Sequence, residues 1–309
     1  MPQTRLDGSA WPRISIVTPS YGQRQFIEET IRSVLLQGYP DVEYFIIDGG
    51  STDGTVDIIK KYEHWLTHWV SEKDRGQSHA INKGFSVSSG AILAWINSDD
   101  YYAPDALGRV GQALNATERE WLTGVCQIVD ADGSDGGRLS PDDVPSAEAW
   151  LQRLARGVSY IVPQPTTFWS RPCWELCAPL DIGYHYSFDH EFFFRLFSEA
   201  GRNKTIAEPL ASFRVHEASK TTVADLRFKY ENVAIFDKHR RNLPIALRSR
   251  SRIESTRTKA KLALYGSAAE SIGLRNLFRL ALRWPALALD RMYWGAVRRT
   301  ISRQWPHRG

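Results

Sequence analysis

Between Arg13 and Asp100 short apolar runs alternate with stretches whose apolar residues return every three or four positions. RISIVTPSY (Arg13–Tyr21) is β-branched and runs into a Pro/Ser turn, which predicts a strand. In QFIEETIRSVLLQG (Gln25–Gly38), Phe26, Ile27, Thr30, Ile31, Val34 and Leu35 share one helical face, and Gly38 closes the helix. A second apolar strand, Val42–Ile47, ends at Asp48 in a Gly-rich loop, and Thr55–Tyr62 predicts the next helix. HWVSEKD forms a short third strand ending near Asp74, GQSHAINKGFSVSSG a helix, and AILAWINSDD a fourth strand. Such alternation predicts a parallel, doubly wound sheet. Ligands of these sheets sit beyond the carboxyl ends of the strands. Thr18–Tyr21, Asp48–Asp53, Asp74–Gln77 and Asp99–Asp100 are therefore expected to converge on one crevice.

The pattern then changes. A candidate strand, WLTGVCQIVD, is followed by the polar loop Asp130–Ser146 and a helix, AEAWLQRLARG. Phe188–Phe197 has an apolar helix pattern with Asp189 and Glu191 near its start. Beyond Thr222 the pattern is helical and basic. The expected organisation is an α/β domain over 1–222, with halves at 13–110 and 111–222, and a basic helical extension over 223–309.

Composition adds a charge asymmetry. The 309 residues carry a net charge of +4, yet Lys238–Gly309 holds 17 basic against 3 acidic residues, leaving 22 basic and 32 acidic before it. A basic tail suggests a polyanionic partner. Within it Arg275, Arg279 and Arg283 share a face, while Leu277, Leu280, Ala281, Trp284 and Leu287 lie largely opposite. That arrangement suits an anionic membrane surface, and equally a helix packed on the body with a solvated Arg face. Nucleic acid is not an expected partner, because no recognition module accompanies the charge.

MPQTRLDGSAWPR lacks an apolar signal core, and no run approaches the ~18 apolar residues of a membrane-spanning helix. The expected location is cytoplasmic, with peripheral association at the inner face of the cell membrane. Cys126, Cys173 and Cys177 are an odd set without zinc-knuckle spacing, expected as reduced, buried thiols.

The chemically pointed feature is Asp99-Asp100, two like charges at the mouth of an apolar strand. They repel one another and lose solvation. As a pair they suit Mg²⁺ or Mn²⁺, which take oxygen ligands and bridge them to a diphosphate. A turn or the cap of the helix beginning at APDAL accounts for them equally well.

TPSY, DGGSTDGT, DRGQSHAINKG, NSDD, SFDHEFFFRL and FRVHEASKT, in this order and at these separations, resemble the inverting family 2 glycosyltransferases of the GT-A fold. The resemblance covers Arg13–Thr222. It implies a Rossmann-like, mostly parallel twisted sheet flanked by helices, and transfer of a sugar from a nucleotide donor (UDP-, GDP- or dTDP-linked) to an acceptor hydroxyl. It implies Mn²⁺ or Mg²⁺ as cofactor, with Asp100 and His216 as ligands and Asp99 touching the donor. Thr18, Pro19 and Tyr21 would wall the nucleobase, Asp48 contact it, and Asp74 and Arg75 reach ribose or diphosphate. Asp189 aligns with the general base, which deprotonates the attacking hydroxyl, although many members carry Glu-Asp where this chain has Phe188-Asp189. Glu191 is the reserve base, and Gln164 and Trp169 belong to the segment that faces the acceptor.

With the basic tail, the expected acceptor is a glycan or a lipid-linked sugar, as in polysaccharide, O-antigen or glycolipid assembly. The competing reading is a non-catalytic nucleotide-sugar-binding or partner subunit. The intact Asp99, Asp100, Asp189 and His216 count against it.

Overall fold

The structure, a computed structural model, describes residues 4–220 and 225–266, with residues 279, 282, 294 and 297 beyond them. Its first four strands are β1 (Ile14–Ser20), β2 (Val42–Asp48), β3 (His68–Ser71) and β4 (Ile92–Trp95). All four run parallel, β1 pairing with β2 and β4, and β2 with β3. Every residue of β1 is buried, as befits a parallel strand covered on both faces. The register places Ser20 opposite Asp48, and Asp48 opposite Ser71, so the carboxyl ends lie level along one edge.

Helices α1 (Ile27–Leu35), α2 (Thr55–Lys61) and α3 (Gln77–Ser86) connect these strands. α1 buries Ile27, Thr30, Ile31 and Val34, the face its spacing predicts. α3 lies close on the sheet because residue 84 is glycine. A Cβ there would come within 2.6 Å of Val17 Cγ1.

The second half extends the same sheet. It contains β5 (Tyr101–Tyr102), α4 (Ala106–Ala113), β6 (Trp121–Asp130) and β7 (Asp135–Leu139). After α5 (Ala147–Ala155) come β8 (Phe168–Ser170), α6 (Arg171–Cys177), α7 (Phe188–Ala200) and β9 (Lys204–Val215). Among the described residues nine strands form one sheet, in the order β3-β2-β1-β4-β8-β6-β9-β5, with β7 on β6. β8 is antiparallel to β4 and β6, β9 is parallel to β6, and β5 is antiparallel to β9. The halves at 13–110 and 111–222 thus share their hydrogen-bonded core.

The chain divides into two compact units. One comprises Met1–Val144 and Tyr160–Val223, the other Pro145–Ser159 and Ala224–Gly309. The division differs from a single cut at 222/223, because α5 belongs with the later helices α8 (Asp225–His239) and α9 (Ile245–Gly266). α5 is capped by Ser146, whose side chain accepts the Ala149 N–H. It buries Trp150, Leu151, Leu154 and Ala155 and packs on α8 and α9. Asn232 Nδ2 donates to Gly157 O (3.2 Å), and Arg156 pairs with Glu254 (3.7 Å). On α9 Ile245, Arg248, Arg252, Ile253 and Arg257 are exposed.

The tail pattern built on Arg275, Arg283, Leu277 and Leu280 lies outside the described residues. Arg279, Leu282 and Trp294 are described and exposed. No helix among the described residues is long and apolar enough to cross a membrane. The three cysteines are free and buried, and burial pushes the Cys177 thiol up to about 12.

Candidate active site

A cleft of about 570 Å³ opens beyond the carboxyl ends of the parallel strands. β1 contributes Pro19 and Ser20, followed by Tyr21, which is 72% exposed and offers a ring face. The turn after β2 contributes Gly49, where a Cβ would lie 3.0 Å from Asp74 Oδ2 and 3.2 Å from the Tyr21 ring. Asp74 also lines the cleft and accepts the Gly76 N–H at 2.7 Å.

Two expected donor contacts lie behind this wall. Thr18 is buried, its hydroxyl 3.0 Å from the Tyr44 hydroxyl. Asp48 organises its own loop: it accepts from Gly50 N (3.0 Å), Ser51 N (2.8 Å), Ser51 Oγ (2.5 Å) and Ser71 Oγ (2.6 Å). Four such bonds satisfy a buried carboxylate and set the shape of the Gly-rich turn. Arg75 is exposed and does not border the cleft.

At the end of β4 the two aspartates have different surroundings. Asp99 lines the cleft, and its Oδ2 lies 3.1 Å from His216 Nε2. The His216 ring packs at 4.7 Å on Phe26, and its backbone N–H donates to Ser219 Oγ (3.0 Å). Asp100 is 1% exposed; Oδ1 accepts the Arg214 N–H at 2.9 Å and Oδ2 accepts from Asn97 Nδ2 at 3.1 Å. Burial, and then the neighbouring Asp99 charge, push the Asp100 carboxyl well above the ordinary carboxylate range. The sequence expectation made Asp100 the direct metal ligand and Asp99 the donor contact. Burial reverses the order in which they meet the cleft: Asp99 faces it and Asp100 supports it from behind.

The Arg214 guanidinium bonds the backbone beside the pair rather than either carboxyl group. Arg214 donates to Asp99 O (3.0 Å) and Ala131 O (2.9 Å) and pairs with Glu29. It sits over the Phe26 and Tyr101 rings at 4.9 and 5.3 Å. It therefore holds backbone and rings in place, and the Asp99 carboxylate is left to His216 and the cleft. Among the described residues no three His, Cys, Asp or Glu side chains close around one point as a finished metal cage.

Asp189 occupies the first turn of α7, where its Oδ1 accepts the His190 N–H (2.8 Å). Phe188 packs on Trp95 at 6.0 Å, which brings the start of α7 beside the end of β4. Glu191, the reserve base, is buried and bound by Arg195 at 2.7 Å, so it serves the helix. Trp169, expected to face the acceptor, is enclosed. It lies wholly in an aromatic core, 5.4 Å from Trp95 and 4.9 Å from Phe192. Gln164 donates to Trp95 O (2.8 Å) and does not border the cleft either.

Further cleft residues come from the same motifs. Gln77 of DRGQSHAINKG, Asn97 of NSDD, and Phe213 and Lys220 of FRVHEASKT line it, Gln77 within a stretch expected there. Phe213 and Lys220 reach it because β9 returns beside β5.

Known proteins resemble this chain in sequence and in fold. Residues 15–168 match the family model described as glycosyl transferase family 2. An uncharacterized glycosyltransferase of Nostoc sp. is 24% identical over 231 residues, 67% of this chain and 66% of the relative. The putative teichuronic acid biosynthesis glycosyltransferase TuaG of Bacillus subtilis is 41% identical over 99 residues, 31% of this chain and 39% of TuaG. The chain thus spans less than two-thirds of the length of either relative. Among solved structures, the mannosyltransferase PcManGT from Pyrobaculum calidifontis, in complex with GDP-Man and Mn²⁺, superposes with a TM-score of 0.56 at 18% identity, covering 96% of this chain and 88% of PcManGT. The curled, mostly parallel sheet flanked by helices is of the GT-A type. With its strand-end cleft and its matching family segment, the chain belongs to glycosyltransferase family 2.

Proposed function

We propose that the protein transfers a sugar from a nucleotide-sugar to an acceptor hydroxyl with inversion, in the assembly of a surface glycan or glycolipid. The observation that carries this reading is Asp99, which lines a cleft beyond parallel strand ends with His216 Nε2 3.1 Å from its carboxylate. An oxygen and an imidazole nitrogen side by side, with a second carboxylate behind them, fit Mn²⁺ or Mg²⁺. The Asp99 carboxylate, beside which Arg214 bonds the backbone oxygen rather than the carboxyl group, carries the charge that such a cation would offset. Asp99 and His216 would hold it and Asp100 would orient them, so the two aspartates exchange the roles expected from sequence. When bound, the cation supplies charge neutralisation for the departing nucleoside diphosphate.

The chain's own residues do the rest. Pro19 and Tyr21 offer a face to the base, Asp48 shapes the turn that brings Gly49 close, and Asp74 faces the ribose side. Asp189 takes the proton of the acceptor hydroxyl. The new bond from that oxygen to the anomeric carbon forms as the bond to diphosphate breaks on the opposite face. No covalent sugar–protein bond is needed, so positioning and charge carry the catalysis. The likeness to a mannosyltransferase in complex with GDP-Man and Mn²⁺ supports the donor class, and the teichuronic acid relative supports a glycan product. A lipid-linked acceptor accords with the basic second unit, whose α9 exposes Ile245 and Ile253 among Arg248, Arg252 and Arg257.

Incubating the protein with UDP-, GDP- and dTDP-sugars, Mn²⁺ and a lipid-linked acceptor, and reading nucleoside diphosphate release, tests the reading. One donor class is expected to be consumed, and EDTA to abolish release until Mn²⁺ is restored. Binding of a donor without consumption of any would favour the non-catalytic subunit, and full activity in EDTA would remove the metal.

A further inference from the structure

The loop that leads into α7 is tied at both ends to α3, the helix whose start lines the donor cleft. At its near end Asn82 Nδ2 donates to Leu180 O and Leu180 N donates to Asn82 Oδ1, both at 2.9 Å. At its far end Lys220 Nζ donates to His185 O at 3.3 Å and to Gln77 Oε1 at 2.7 Å. The Gln77 amide donates onward to Asn97 Oδ1 (2.6 Å), and Asn97 Nδ2 donates to Asp100 Oδ2 (3.1 Å). The His185 ring also packs on Gly76, where an added Cβ would stand 3.4 Å from its Nδ1. A continuous chain of side chains thus runs from the strand-end carboxylates to the backbone of His185, four residues before Asp189.

A lysine in a diphosphate cleft ordinarily serves as a counter-charge to phosphate. Lys220 also makes two hydrogen bonds to neutral oxygens, one on α3 and one on the loop, and so bridges them. From this we propose that Lys220 and Gln77 are positioning residues: they staple the His185 backbone to the cleft wall and so fix where Asp189 meets the acceptor hydroxyl. The inference rests on the reading of Asp189 as general base. A base displaced by about 1 Å loses on the order of 10²-fold in rate, so the staple acts on turnover, whereas a phosphate counter-charge acts on donor affinity.

The test is the division between kcat and donor binding in Lys220→Met, Gln77→Ala and the double variant, with thermal midpoints recorded for each. Donor-side affinity is read by calorimetry with nucleoside diphosphate and Mn²⁺. Each single variant is expected to lose about tenfold or more in kcat at saturating donor. Its nucleoside diphosphate affinity should stay within about twofold, and the double variant should lose little more than either single one, as residues sharing one interaction do. Lys220→Arg, which keeps the donor group, should recover part of kcat. A tenfold loss of nucleoside diphosphate affinity with kcat unchanged would make Lys220 a plain counter-charge and overturn the proposal, as would multiplicative losses in the double variant. If Lys220→Met fails to fold, Gln77→Ala alone decides by the same division. Asp189→Asn separates the two levels: full activity in that variant sinks the base itself. An inactive Asp189→Asn beside wild-type Lys220→Met and Gln77→Ala sinks only the staple.

Discussion

The two halves of the sheet carry candidate residues in contrasting ways. In the parallel half, β1 to β4 point the same way, so the residues after each strand arrive at one edge. Pro19, Tyr21, Asp74 and Asp99 all border the same cleft. In the mixed half, β8 runs against both neighbours, and Trp169 on it is enclosed by Trp95, Phe192 and Phe85. Asp189 stands instead on α7, the second helix after β8. Parallel strands sort function to one end by topology alone. Antiparallel ones do not, and there side-chain chemistry has to be read against burial.

The sharpest way to break this contrast is Asp189→Asn, at the acceptor-side residue proposed as general base. Loss of a general base is expected to lower kcat by roughly 10²–10⁴-fold with donor binding retained. Turnover at saturating nucleotide-sugar beside calorimetry of the same variant checks it. Next comes Trp169→Ala. Emptying a fully buried indole should cost about 3–5 kcal/mol of stability. Denaturant unfolding measures it. A stable variant with only its acceptor KM raised would return Trp169 to the acceptor pocket. Smaller still is Tyr21→Ala on the donor side. A residue 72% exposed contributes little to folding, and its loss should weaken nucleoside diphosphate binding by roughly 0.5–1.5 kcal/mol at an unchanged thermal midpoint.

Much of the donor half is legible in the sequence because its period and its breaks coincide. β1, β2 and β4 fall on the apolar runs, and β6 occupies Trp121–Asp130, the run read as a strand. What stays hidden depends on contacts between distant segments. Asp99 and Asp100 are chemically identical neighbours, and only the return of β9, whose Arg214 N–H binds Asp100, decides which one is enclosed. Glu191 and Asp189 both sit in the first turn of α7, and the Arg195 side chain claims the former. Asp48 looks like a ligand-binding carboxylate after a strand, yet four local donors take it up. α5 reads as part of a continuous domain, and its grouping with α8 and α9 is a matter of which apolar faces find each other.

The central claim is that Asp99, with His216, holds the cation that carries the donor diphosphate. Calorimetric titration of nucleoside diphosphate into the wild-type protein and into Asp99→Asn, each with and without Mn²⁺, tests it most directly. The account predicts that Mn²⁺ strengthens wild-type binding by at least about tenfold and that Asp99→Asn loses most of this gain, in line with the 10–100-fold effects typical of disturbed metal shells. Equal affinity with and without Mn²⁺ in the wild type, or an undiminished Mn²⁺ effect in Asp99→Asn, would contradict it.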